Sequence, residues 1–235
     1  MRLPARYCLI ALTFAAVVTA GSVSAAAPSL GRNLVSNPSF EDSDFEPVAV
    51  TGQPVLPTDW TVEGATILFD HSQNVYKDGR RGAAISGALG GGRQICDGSS
   101  GVQRCNANPA RAATQELPLR PWWVTNAPID VKAGAKYHFA VFAIMPSLNP
   151  DAGVPGEGAA TRVRWLDADG EELVTVDGPS LINQPGKRVI GWKQITADVI
   201  APAGAAGAQL LLGHTDYTTT STQVAYDLVV FAAVL

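Results

Sequence analysis

Charge is scarce in this sequence: Asp, Glu, Lys and Arg make up only 16% of its 235 residues, against roughly 25% in an average globular protein. The 17 basic residues are outnumbered by 21 acidic ones, for a formal net charge of -4. No basic surface is therefore on hand to neutralise phosphates, which excludes nucleic acid as a partner. Apolar residues at helical spacing are hard to find, so a helical bundle is not expected. Past the N-terminal region no apolar stretch reaches the roughly 20 residues that a membrane-spanning helix needs. Catalytic signatures are missing as well: there is no His-Glu-x-x-His, no Gly-x-Ser-x-Gly and no phosphate loop ending in Gly-Lys-Ser/Thr. Gly87, Gly90, Gly91 and Gly92 imitate a dinucleotide-binding pattern, but no βαβ unit surrounds them, and they are read as loop.

What the chain does have begins with an export signal. Met1-Arg2-Leu3-Pro4-Ala5-Arg6 is followed by an apolar run from Tyr7 to Ala20 and by the small-residue pattern Val23-Ser24-Ala25, the three regions of a secretory leader. Residues 1–26 are accordingly set apart as a signal peptide, with residues 27–235 as a single domain and a secreted or periplasmic location. Cys8 leaves with the leader. The remaining pair, Cys96 and Cys105, lies in a Gly-rich stretch, and an even cysteine pair in an exported chain reads as a disulfide. Closing so short a loop stabilises by about 2–3 kcal/mol in the chain-entropy model. A redox or zinc role needs other spacings and more ligands.

Short apolar or alternating runs bounded by Gly, Pro, Asn and Asp recur along the rest of the chain, the pattern of an all-β sandwich or barrel. Strands are predicted at 33–36, 60–62, 66–70, 83–86, 112–117, 129–131, 136–145, 161–167, 172–176, 192–199, 209–213 and 224–232. Lys136 to Met145 is long and apolar on both faces, so it is expected at the centre of a covered sheet. Arg162-Val163-Arg164-Trp165-Leu166 alternates, then Asp167-Ala168-Asp169-Gly170 turns into Glu172 to Val176, which predicts a hairpin with one solvated face. That Asp-rich turn lacks the further spaced ligands of a calcium loop. Two long connections remain, 87–110 and 146–158. The first carries the cysteines and is a candidate binding element, because loops of that length in a compact domain are usually functional or mobile.

Several motifs fall in an order that resembles a known family. They are Asn33-Leu34-Val35-Ser36-Asn37-Pro38-Ser39-Phe40-Glu41, then Pro57-Thr58-Asp59-Trp60, then Asp78-Gly79-Arg80-Arg81-Gly82-Ala83-Ala84-Ile85. Further on come Ile129 to Tyr137, Trp192 with Ile200 to Gly204, and Val224-Ala225-Tyr226-Asp227-Leu228-Val229. Together they resemble the carbohydrate-binding modules of the family 4/9/16/22 type, across essentially all of residues 27–235. The resemblance implies a jelly-roll β-sandwich of the galactose-binding-like kind. It also implies first and last strands close together, holding a structural calcium through Glu41 and Asp227, with Ser39 and backbone carbonyls near Lys77 as further ligands. Oxygen donors of this sort suit a hard cation. The alternative is that Glu41 caps a turn and Asp227 pairs with an arginine.

A sugar-binding role calls for aromatic faces, because pyranose C–H groups pack on a ring while polar side chains bond the hydroxyls around it. Trp122 and Trp123, beside Pro121 and the cysteine loop, are the candidates for an exposed platform. Neighbours in a strand point opposite ways, so one of the two is expected to face a ligand and the other the core. Tyr76 and Tyr217 lie on predicted turns as a second platform, and Arg93, Gln94, Asn126 and His214 are candidate hydrogen-bonding partners. Trp60, Trp165 and Trp192 are assigned to packing. The partner expected is thus a polysaccharide, bound without being transformed.

Two other classes stay open. A structural or adhesive module on this fold would contact protein or cell wall and would not use exposed aromatics. A β-sandwich glycoside hydrolase or lyase needs two carboxylates about 5–10 Å apart across a cleft. Glu116, Asp130, Asp151, Glu157 and Asp216 are available for it, while His71, His138 and His214 are too scattered in the sequence to suggest a catalytic base.

Overall fold

Period-two alternation, clearest in Arg162-Val163-Arg164-Trp165, sorts the side chains of this chain onto the two faces of sheets. The computed structural model describes residues 29–42, 56–64, 69–72, 76–86, 93–96, 103–106, 121–145, 158–182, 191–215 and 223–235, with only the backbone course described at 69–72, 86, 93–96 and 103–106. In chain order the strands are β1 (Trp60–Glu63), β2 (Phe69–Ser72), β3 (Gly82–Ser86), β4 (Arg93–Cys96), β5 (Gln103–Asn106), β6 (Trp122–Thr125) and β7 (Ile129–Asp130). They continue as β8 (Lys136–Ile144), β9 (Gly158–Leu166), β10 (Glu172–Ile182), β11 (Lys193–Ile200), β12 (Gly207–His214) and β13 (Gln223–Ala233).

Two antiparallel sheets result. One has the order β1-β6-β12-β9-β10, with β7 also on β12, and the other β11-β8-β13-β3-β2. From β8 onward the chain alternates between them except at the β9–β10 hairpin, a jelly-roll sandwich like the one the sequence predicts. Their inner faces share one core built on Phe40, Trp60, Trp123, Tyr137, Phe139, Trp165, Leu210, Leu212, Tyr226 and Phe231. Two side chains also bind across the layers. Trp123 Nε1 donates to the Ala84 carbonyl of β3 at 3.1 Å, and the Tyr226 hydroxyl of β13 bonds the Gly213 carbonyl of β12 and lies 3.0 Å from that of Ala160 on β9. Burial accordingly pushes the Tyr226 hydroxyl far up from its ordinary range. These two bonds across the layers help to fix the register of the sheets whose outer face is described below.

The sequence-based expectations need four corrections here. Asn33 to Ser36 is not a strand: it runs beside β13 through single bonds, Leu34 N–H to Phe231 O at 2.9 Å and Gly31 N–H to Ala233 O at 2.8 Å, with an isolated bridge between Leu30 and Val234. The reason is Asn33, whose Nδ2 donates to Val229 O while its Oδ1 accepts from Phe231 N–H and Val35 N–H, replacing ladder bonds with side-chain ones. The connection 87–110 is more than loop, since it carries the paired strands β4 and β5. Strand β6, not expected as such, pairs with both β1 and β12. And β10 runs six residues beyond its predicted end at Val176, past a bulge between Asp177 and Ser180.

Other expectations fit the described residues. Strand β8 lies between β11 and β13 at the centre of its sheet. The turn after β9 is closed by Asp167, whose Oδ1 accepts from Asp169 N–H and Glu171 N–H, both at 2.9 Å. Its carboxylate serves backbone donors, as a turn Asp does. The predicted strand at 112–117 lies outside the described residues.

Candidate functional site

Only one of the adjacent tryptophans on β6 points into the core. Trp123 is fully buried, whereas Trp122, at 7% exposure, stands on the outer face of its sheet with Val124 and Leu211. The expectation of an exposed indole is therefore corrected twice. Trp123 has no surface, and Trp122 reaches the outer face but is covered there on both sides.

The cover is specific. Trp122 pairs across the ladder with Gly213, and a Cβ at Gly213 would lie 2.4 Å from the indole. The ring therefore lies flat over the glycine, a position no other residue leaves open. On its other side the Arg162 guanidinium sits 5.0 Å from the ring, within cation–π range. Among the described residues Arg162 is tethered by one bond, Nε to Asp177 Oδ1 at 3.0 Å, and the Asp177 side chain is 85% exposed.

Arg164, two residues along the same face, organises the rest. Its two terminal nitrogens bind both Glu63 oxygens at 2.8 Å, one of them also reaches Gln209 Oε1 at 3.2 Å, and Nε lies 3.4 Å from Glu172. Glu63 is on β1 and Arg164 on β9, three inter-strand steps apart in the sheet order. Those steps alone come to about 14 Å on a flat sheet. The long arginine and glutamate side chains lean toward each other to close the pair. Val124 and Leu211, which pack with Trp122 on this face, have almost no exposure. The resulting groove, about 310 Å³, is lined by Glu63, Trp122, Arg162, Arg164, Glu172 and Leu211, among others.

Hydrogen bonding to Arg164 holds the Glu63 carboxyl below its ordinary range, against the opposing effect of its burial, and Glu63 in turn raises Arg164. Because the folded value of Glu63 lies below the unfolded one, the pair's contribution to stability is complete above about 4.3, the ordinary glutamate value, and is lost as pH falls through the depressed value. Thermal melts across the acid range should therefore show a shallower decline for Glu63→Gln than for the unaltered chain. Identical slopes would mean that the ion pair adds nothing to the fold.

A second constellation lies at the seam of the chain ends. Asp227, buried, accepts Lys77 N–H at 2.7 Å and Asp78 N–H at 3.0 Å on Oδ2, and Leu228 N–H at 2.7 Å on Oδ1. Glu41 Oε1 accepts Arg80 N–H at 2.7 Å and Arg81 N–H at 2.8 Å. Both carboxylates therefore grip one turn, 77–81, which needs Gly79 at φ +71° with the Glu41 carboxylate lying against it. Burial pushes the Asp227 carboxyl up from its ordinary range, the backbone donors pull it down, and the nearby Glu41 charge adds to the rise.

This bears on the calcium that the family resemblance implies. Two like charges, one of them buried, share a turn, and a hard cation between them would relieve their repulsion. Glu41 and Asp227 fit such an ion in donor type. No group of three or more His, Cys, Asp or Glu side chains converges among the described residues, so further ligands would have to be main-chain oxygens. Ser39 is half-buried in the turn just before Glu41. The expected turn itself is well built: Asn37 bonds Asp42 and Thr58, and Phe40 beneath it is fully buried.

Of the other candidates, those whose side chains are described, His214, Tyr76 and Asn126, do not line the groove with Trp122. His214 is fully buried, because β12 alternation turns it inward; its expected role as a surface donor is corrected. Tyr76 is exposed, at the turn gripped by Glu41 and Asp227. Asn126 is exposed in the turn after β6, its N–H bonded to Asp59 O at 2.8 Å. Strand β4 carries Arg93 and Gln94, and the β4–β5 register sets Cys96 opposite Gln103 and Cys105 opposite Gln94; these side chains, like Tyr217, lie outside the described residues. What the sequence reading missed is Glu63, Arg162, Arg164, Glu172 and Gln209. Their signal was the predicted solvated face of the 161–176 hairpin, which named the arginines' side of the strand but not the tryptophan they would meet there.

Fold and site together define an all-β sandwich with a concave, aromatic-floored and ion-paired groove on one outer face. Among solved structures the chain is similar to the CBM22-1 xylan-binding domain from Paenibacillus barcinonensis, at 13% identity and TM-score 0.45, over 90% of this chain and 98% of that one. It is similar also to the CBM22-1–GH10 modules of a Clostridium thermocellum endo-1,4-beta-D-xylanase complexed with xylohexaose, at 15% identity and TM-score 0.43, over 74% of this chain and 26% of that one. A third is the enzymatically active domain of bacteriophage CBA120 tailspike protein 4, at 12% identity and TM-score 0.46, over 86% of this chain and 21% of that one. The chain thus spans about a quarter or less of the length of the last two. No family model matches the sequence, and no curated protein is similar to it.

Proposed function

We propose that this chain is an exported, non-catalytic carbohydrate-binding module that takes a polysaccharide strand in the groove over β6, β12 and β9. The observation that carries this is the outward indole of Trp122 on a concave face, surrounded by side chains that both donate and accept hydrogen bonds. A sugar ring presents C–H faces to an aromatic plane and hydroxyls to its rim, which matches that mixture. The charges of Arg164 are already matched by Glu63 and Glu172, so the groove offers polar contacts without a strong preference for an ion. A structural calcium held by Glu41, Asp227 and main-chain oxygens, a Cys96–Cys105 disulfide and removal of residues 1–26 on export complete the reading.

Affinity electrophoresis and pull-down on xylan, mannan, β-glucan and pectin test it. Retention of the wild-type chain on at least one of these is expected, with Trp122→Ala clearly weakening it, since the aromatic face that the sugar's C–H groups pack on is lost. No retention on any glycan by the folded, calcium-supplemented protein would sink the reading. A second one, a module that contacts protein or cell wall, is favoured by the low exposure of Trp122. It predicts a partner whose binding is indifferent to Trp122→Ala.

A further inference from the structure

Trp122 presents a difficulty for any ligand that would stack on it, because neither face of its ring is open. Gly213 lies against one face and Arg162 against the other. The two covers are unlike in kind. Gly213 is main chain near the end of β12, paired on both sides with β6 and β9 and tied at its carbonyl to the Tyr226 hydroxyl from the opposite sheet, and cannot withdraw. Arg162 is a long side chain, 35% exposed, with a single hydrogen bond among the described residues, to the 85% exposed Asp177.

We propose that Arg162 is the removable cover of the Trp122 platform and thereby sets what the groove accepts. Resting on Trp122 it shields the indole from water; when a ligand ring arrives, the guanidinium swings toward Asp177 on β10 and the ring takes its place. Among the described residues, what holds the cover down is one cation–π contact at a partly exposed site, a weak hold, while the ion pair with Asp177 is kept as the guanidinium moves toward it. Neighbouring Arg164 cannot act in this way. It is clamped by Glu63 through both terminal nitrogens, with Gln209 and Glu172 added, and so serves as a fixed wall beside the moving one. A ligand must then offer the indole more than the guanidinium does, which favours flat apolar ring faces over isolated hydroxyls. The inference rests on the glycan reading of the same groove, yet half of it concerns the free protein and stands apart from any ligand.

Acrylamide quenching of tryptophan fluorescence tests that half on the full chain. Trp60, Trp123 and Trp165 are buried in the core, so Arg162→Ala should increase the quenchable fraction by about one of the chain's five tryptophans. The increase should vanish in the Arg162→Ala, Trp122→Phe double variant, and Asp177→Asn should leave quenching near the wild-type level with Arg162 still on the ring. No increase in Arg162→Ala overturns the proposal. Affinity electrophoresis with xylan, mannan and β-glucan tests the other half: Arg162→Ala should bind about two- to fivefold more tightly, the factor that corresponds to one exposed cation–π contact. Weaker binding in Arg162→Ala would make the arginine a ligand contact and overturn the cover. Increased quenching with no glycan bound by either protein would uphold the cover and sink the glycan reading instead.

Discussion

Trp123→Ala is expected to destabilise the protein by about 3–5 kcal/mol, the usual cost of truncating a buried large aromatic, and to lower the melting temperature by roughly 6–20 °C in a domain of this size. Trp123 is fully buried, belongs to the shared core and donates its indole N–H to Ala84 on the opposite sheet. Its removal leaves a cavity between two sheets that are each held by their own ladders and cannot close over it, and it leaves a buried carbonyl without its donor. Trp122→Ala should cost much less, because the space it vacates opens on the outer groove and fills with water. Denaturant unfolding of the two variants measures the difference. Equal losses would contradict the assignment of the two indoles to opposite faces.

Asp227→Ala should be nearly as damaging, at about 3–5 kcal/mol, since three backbone N–H groups lose a charged acceptor at once. The turn 77–81 would come free of β13, while Glu41 still held its other end at Arg80 and Arg81. The same turn separates the calcium proposal from simple hydrogen bonding. With calcium bound, EDTA should lower the melting temperature of the wild-type chain, and Glu41→Ala should erase the difference between calcium and EDTA. A wild-type protein melting at one temperature with and without calcium would remove the ion and leave the carboxylates as turn clamps.

How much of this is legible in the sequence differs from feature to feature. The hairpin 161–176 reads directly from Arg162-Val163-Arg164-Trp165, because alternation is a local property of extended backbone. The turn at Asn37 to Phe40 reads equally well, since Asn, Pro and a following apolar residue act within a few positions. Asn33 misled for the opposite reason: its side chain substitutes for a ladder bond with β13, nearly 200 residues away in sequence, and no local pattern reports that. Strand β6 was hidden because Trp122 and Trp123 are both large and apolar, so alternation there has no polar partner to mark it.

The sequence by itself determined that this is an all-β sandwich and that Arg162 and Arg164 share a side. These follow from backbone geometry with a period of two residues. Tertiary structure alone decided which tryptophan met the core, because that depends on which sheet face finds the apolar side chains of the other. It also decided that Arg162 should come to rest on Trp122, for β12 stands between their strands and only the strand order of the sheet brings the two within reach.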